Sequence, residues 1–118
     1  MNKKILIVDD DSINRKLLKA ILTKGGYQVI EANNGAEALE KLTPNVSLIL
    51  LDLMMPVMDG LTFLRSYKSQ KPQYANIPVL ILTTDDSKKE EALRLGAKEV
   101  IIKPINPVEV IEKVSSYL

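Results

Sequence analysis

Five side chains in this sequence could share one piece of chemistry: Asp9, Asp10, Asp52, Thr83 and Lys103. Three carboxylates brought together repel one another, and a hard divalent cation is the usual remedy. Mg²⁺ suits such a set, because it takes oxygen ligands, keeps several waters and bridges readily to phosphate oxygens. A lysine adds a compact positive charge, and a threonine adds a hydroxyl. This ensemble fits phosphoryl transfer, where positioning and charge neutralisation supply most of the catalysis and an aspartate can be the nucleophile. Missing residue types narrow the field further. The chain has no cysteine and no histidine. That excludes disulfides, thiol catalysis, a histidine general base, His- or Cys-ligated zinc and a phosphohistidine on this chain.

The elements that must position these groups can be read from hydropathy. Four short, unbroken apolar runs, Ile5–Val8, Leu48–Leu51, Val79–Leu82 and Val100–Ile102, predict strands buried on both faces, as in a parallel sheet covered by helices. Tyr27–Ala32 alternates in part, through Gln28 and Glu31, and predicts an edge strand. Each unbroken run ends in polar chemistry: Asp9-Asp10-Asp11, Asp52, Thr83-Thr84 and Lys103-Pro104. In an open parallel sheet the carboxyl ends of the strands share one edge, and ligands bind in the crevice outside them. Residues far apart in sequence are thereby expected to meet in one pocket.

Helical patterns separate the strands. Ile13, Leu17, Leu18, Ile21 and Leu22 share one helical face, with Asp11 or Ser12 as its cap and Gly25-Gly26 as its end. Asn34 with Glu37 opens a second helix running through Leu42, with Pro44 beyond. Leu61, Leu64 and Tyr67 mark a third after Asp59-Gly60, a pair better explained by turn chemistry than by catalysis. Ser87 with Glu90 is expected to cap a fourth, which stops at Gly96. Asn106, Pro107 and Glu109 open a fifth, with Val108, Ile111, Val114 and Leu118 on one side. The order is β-α repeated five times, an α/β doubly wound sheet with right-handed crossovers.

At 118 residues the chain is read as one domain spanning 1–118. Sixteen basic and fifteen acidic residues give a net charge of +1, which offers no reason to propose nucleic acid or an anionic membrane as partner. The apolar stretch before Asp9 is too short for a signal peptide or a membrane span, so a cytoplasmic location is expected. The last predicted helix runs to the final residue, and no effector domain is expected with it.

In combination, these motifs resemble the receiver domain of bacterial two-component response regulators (CheY-like). The resemblance rests on Asp9-Asp10 after the first strand, Leu51-Asp52-Leu53-Met54-Met55-Pro56-Val57-Met58-Asp59-Gly60 around the third, Leu82-Thr83 after the fourth and Lys103-Pro104 after the fifth. It implies a flavodoxin-like sheet of five parallel strands in the order 2-1-3-4-5 with five helices. It also implies that Asp52 accepts a phosphoryl group from a sensor histidine kinase or histidine phosphotransfer protein. Asp10 would ligate Mg²⁺ directly and Asp9 mostly through water, with the backbone carbonyl of Met54 as a further ligand. Lys103 would pair with the phosphorylated carboxylate, and Thr83 would move to hydrogen-bond the phosphoryl oxygen. The Lys103-Pro104 bond would be cis. An output partner would use the face formed by the fourth helix, fifth strand and fifth helix.

The sequence departs from the family pattern at Val100, where an aromatic residue is usual, and at Ile105, where Phe is common. Met54 and Asp85 occupy positions that tune acyl-phosphate lifetime in the family. Two other functions fit less well. A haloacid-dehalogenase-type phosphatase would need a second aspartate where Met54 stands. A flavin or nucleotide module would need a glycine-rich loop where Asp9-Asp10-Asp11 stands. A receiver-like scaffold without phosphoryl chemistry is the remaining alternative.

Overall fold

Alternation along each strand decides the architecture, because successive side chains enter opposite layers. The computed structural model describes residues 3–53, 60–84 and 86–118, without the side chain of Lys68. Five parallel strands, β1 (Lys4–Val8), β2 (Gln28–Ala32), β3 (Val46–Asp52), β4 (Val79–Thr83) and β5 (Glu99–Ile102), lie in the order β2-β1-β3-β4-β5. Five α-helices join them: α1 (Ser12–Lys24), α2 (Gly35–Lys41), α3 (Gly60–Gln70), α4 (Lys89–Arg94) and α5 (Pro107–Ser116). This is the flavodoxin-like order that the family resemblance implies. Ile5, Ile7, Leu48, Leu50, Leu80, Leu82 and Ile101 pack with Leu18 and Leu22 of α1 and Val110 and Val114 of α5. The alternate residues, among them Leu6, Val8, Ile49, Leu51 and Ile81, pack with Ala38, Phe63, Leu64, Tyr67 and Ala92 of α2, α3 and α4. Each fully buried aliphatic side chain contributes roughly 1.5–3 kcal/mol, so strands sandwiched between two layers carry no polar alternation.

Short polar residues start three helices. Asp11 accepts from the backbone of Ile13 and Asn14, Asn34 from Glu37, and Asn106 from Val108 and Glu109. Gly26 (φ 93°) and Gly96 (φ 111°) take up left-handed backbone at the ends of α1 and α4.

Four expectations need correction. Ile13 and Leu17 are exposed, because the core reaches only the Leu18–Leu22 side of α1. Val108 is likewise exposed, and α5 buries Val110 beside the expected Val114. Ser87 caps no α-helix: it lies in a 3₁₀ turn (Asp86–Lys88), and α4 opens at Lys89 without a side-chain cap. Glu90 and Glu91 in its first turn complement the helix dipole there. Finally, β5 is an edge strand, and its terminal Ile102 is exposed.

Two contacts fix α3. Tyr67 is fully buried, stacks on Phe63 at 5.6 Å between ring centroids, and its single O–H is shared between the carbonyls of Tyr74 (2.8 Å) and Ile77 (2.9 Å). Burial pushes its phenol up to about 12. At the other end, the Gly60 N–H donates to the Leu53 carbonyl at 3.0 Å. A Cβ on Gly60 would lie 2.7 Å from both the Asp52 carbonyl oxygen and Leu53 Cα. Only glycine allows that approach.

Candidate functional site

Register brings the polar strand ends together. Val8 pairs with Leu51, Asp52 with Leu82 and Thr83 with Ile102, so Asp9, Asp52, Thr83 and Lys103 climb one edge in near-level steps. Phase matters as much as level. Asp9, Asp52 and Lys103 follow Ile7, Leu50 and Ile101 by two residues, and those three belong to the core beneath α1 and α5. Thr83 follows Ile81, which belongs to the opposite core.

One carboxylate oxygen from each of Asp9, Asp10 and Asp52 lies within 4.8 Å of the other two. The Lys103 ammonium sits 3.7 Å from Asp9 Oδ2 and 3.6 Å from Asp52 Oδ2. Asp9 and Asp52 are 1% and 5% exposed, whereas Asp10 faces solvent. Lys103 is anchored by its backbone N–H, which donates to the Thr83 carbonyl at 2.8 Å, and the Lys103-Pro104 bond is cis. Thr83 is fully buried at the end of β4. Met54, whose carbonyl the motif nominates as a ligand, lies outside the described residues, as does Asp85.

The polar balance of this cluster is incomplete. Asp9 Oδ1 accepts from the Asp11 N–H at 2.9 Å, but among the described residues Asp9 Oδ2 is buried without a hydrogen-bond partner. A buried carboxylate oxygen left this way is costly. Among the described residues, the three carboxylates are met by one ammonium, that of Lys103 beside Asp9 and Asp52, which leaves an excess of negative charge. Both features suit a hard divalent cation held by oxygen, and the donor set matches Mg²⁺ rather than zinc.

The family model for the response regulator receiver domain matches residues 5–115. This chain is a response-regulator receiver domain. As such it belongs to two-component signalling, and it is 40% identical, across its full length, to the alkaline phosphatase synthesis transcriptional regulatory protein PhoP of Bacillus subtilis. It is 38% identical over 98% of its length to the CpxR homolog of Haemophilus influenzae. The receiver spans about half the length of these curated relatives, 49% and 50%. Among solved structures it resembles the Vibrio cholerae chemotaxis protein CheY4 with a TM-score of 0.92 and 35% identity, each chain covered fully. It also resembles the Thermotoga maritima response regulator TrrA, solved in complex with Mg(2+)-BeF, with a TM-score of 0.86 and 34% identity over 98% of this receiver and 99% of that chain.

Val100, at the usual aromatic position, is half-buried against the core beneath α2–α4, and Ile105 packs against the core beneath α1 and α5. An apolar groove of about 540 Å³ runs between α1 and α5 past Ile21, Pro107, Val108 and Ile111 and shares no lining residue with the carboxylates. Among the described residues, no helix of the receiver is long and apolar enough to cross a membrane.

One residue beside the site escaped the sequence reading. Arg15 in α1 donates to the Asp9 carbonyl at 2.6 Å, to Asn33 Oδ1 at 3.1 Å and to Glu31 Oε1 at 3.3 Å. Four basic residues in α1 hid it, since nothing in their spacing marks the one that turns inward.

Proposed function

We propose that Asp52 is the phosphoacceptor of this receiver and that Asp9, Asp10 and Asp52 hold Mg²⁺, with the Met54 carbonyl completing the protein ligands. The observation that carries this reading is the carboxylate cluster closed on one side by Lys103, at 3.6 Å from Asp52. Bound there, Mg²⁺ would neutralise the excess negative charge and draw in phosphate oxygens. An Asp52 carboxylate oxygen bonds to the phosphorus of a phosphohistidine on a sensor kinase or phosphotransfer protein. The P–N bond breaks, its electron pair stays on the imidazole, and the imidazole takes up a proton. Lys103 stabilises charge on the acceptor carboxylate and the arriving phosphoryl group. Thr83 then hydrogen-bonds the phosphoryl oxygen and couples the chemistry to the conformation of the output face.

The same reading treats residues 1–118 as one receiver unit working in the cytoplasm, a signalling module that catalyses only its own phosphorylation and dephosphorylation. Its output face is α4–β5–α5. Leu93 and Ile102 are exposed there, and Lys113 and Tyr117 tie α5 to Glu99 of β5. The net charge of +1 favours a protein partner over direct nucleic-acid or membrane contact. Incubation with Mg²⁺ and acetyl phosphate is expected to add one phosphoryl mass by intact-protein mass spectrometry, and Asp52→Asn to abolish it. An unmodified wild type, or a modified Asp52→Asn, overturns the assignment.

A further inference from the structure

Asp9 and Asp10 occupy the first loop of the site, and what holds that loop is not obvious from their own side chains. Asp10 is exposed, and among the described residues its carboxylate accepts no hydrogen bond. Its position therefore depends on the peptide that joins it to Asp9. That peptide is gripped from outside. The Asp9 N–H donates to the Ala32 carbonyl at 3.1 Å, and the Asp9 carbonyl accepts from Arg15 Nη1 at 2.6 Å. The guanidinium is in turn held by Glu31 and Asn33, the residues on either side of Ala32. Lys19 also reaches Glu31, at 3.8 Å. One planar fork thus binds the β1–α1 loop to the end of β2, and the Arg15 side chain is only 17% exposed.

We infer that Arg15 is a positioning residue for the cation site, fixing the Asp9-Asp10 peptide so that both carboxylates face Asp52. This rests on the reading of Asp9, Asp10 and Asp52 as Mg²⁺ ligands. Charge alone predicts the opposite sign. Arg15 is a cation near a cation site, so removing it would tighten Mg²⁺ binding if Coulomb repulsion were its only effect. A residue that orients the ligands weakens binding when lost, by about tenfold at the low end of such effects. Lysine keeps the charge but lacks the fork, so it restores little.

The experiment is a Mg²⁺ titration of wild type, Arg15→Met, Arg15→Lys and Glu31→Gln by isothermal calorimetry, with thermal unfolding of each protein in EDTA. Expected is a Kd raised about tenfold in Arg15→Met, nearly as much in Arg15→Lys, and less in Glu31→Gln, where Asn33 still holds the fork. Unchanged or tighter binding in Arg15→Met overturns the inference while leaving the metal site intact. Wild type that takes up no Mg²⁺ overturns the underlying site reading instead. Should Arg15→Met fail to fold, Glu31→Gln decides alone, and wild-type affinity in that variant counts against Arg15.

Discussion

Two buried polar groups of this receiver are treated in opposite ways. Beneath α3 the Tyr67 hydroxyl is matched to two backbone carbonyls. At the sheet edge, among the described residues, Asp9 Oδ2 is buried with no hydrogen bond, beside two more carboxylates and one lysine. Both positions are deep, so burial alone does not explain the difference. The Tyr67 end is finished by the chain itself, pinning the loop that leads into β4. The Asp9 end is left electrostatically incomplete, and such incompleteness concentrates where a fold meets a ligand. Stability and chemistry are therefore separable in this molecule, and the two regions are expected to respond to mutation with opposite signs.

The largest test is alkaline pH. Unfolded Tyr67 loses its proton near 10.0, whereas burial holds the folded phenol to about 12. Between those values the folded state keeps a proton that the unfolded state releases, so stability falls as pH rises. The two-unit gap corresponds to a loss of up to about 3 kcal/mol. Urea denaturation at pH 10 and 12 measures it, and Tyr67→Phe is expected to lack that share of the slope. At neutral pH the same substitution removes the buried donor from the Ile77 carbonyl, while the Tyr74 carbonyl keeps the Ile77 N–H at 3.1 Å. It is expected to cost about 1–2 kcal/mol of unfolding free energy in urea. No loss there would show that the hydroxyl pins nothing.

The smallest effect has the opposite sign. Asp9→Asn removes two repulsions, with Asp10 and Asp52, and one attraction to Lys103. In EDTA it is expected to stabilise the fold by about 1 kcal/mol. It is also expected to diminish the rise in unfolding temperature that Mg²⁺ gives wild type. Destabilisation of Asp9→Asn in EDTA would mean that the edge is as self-sufficient as the Tyr67 anchor, and the contrast would disappear.

Much of this contrast is legible in the sequence, for a definite reason. Apolar runs ending in Asp, Thr and Lys state both that a strand is buried and where it emerges, so parallel topology alone brings Asp9, Asp52, Thr83 and Lys103 to one edge. Their phase was not legible, because unbroken apolar runs do not say which residue faces which layer; the two cores place Asp9, Asp52 and Lys103 in one phase and Thr83 in the other. Helix faces were harder to read. Ile13, Leu17 and Val108 fit an apolar stripe, but a stripe wider than the core it meets leaves its margin in solvent. Ser87 and Glu90 have capping-box spacing, yet a 3₁₀ turn there displaces the start of α4. Arg15 was invisible because its role depends on reaching Glu31 and Asn33 across the sheet edge, a distance no local pattern encodes.

Gly60 carries a mechanical consequence. With its Cα pressed against the peptide that follows Asp52, the first turn of α3 has no side chain acting as a cushion between them. No side chain at position 60 stands between that peptide and the helix backbone to take up a shift of either. Tyr67 clamps the next turns of the same helix to the approach to β4, the strand that ends in Thr83. Asp52 and the strand that ends in Thr83 are thus both in contact with one helix, α3, along a route that does not include Val100.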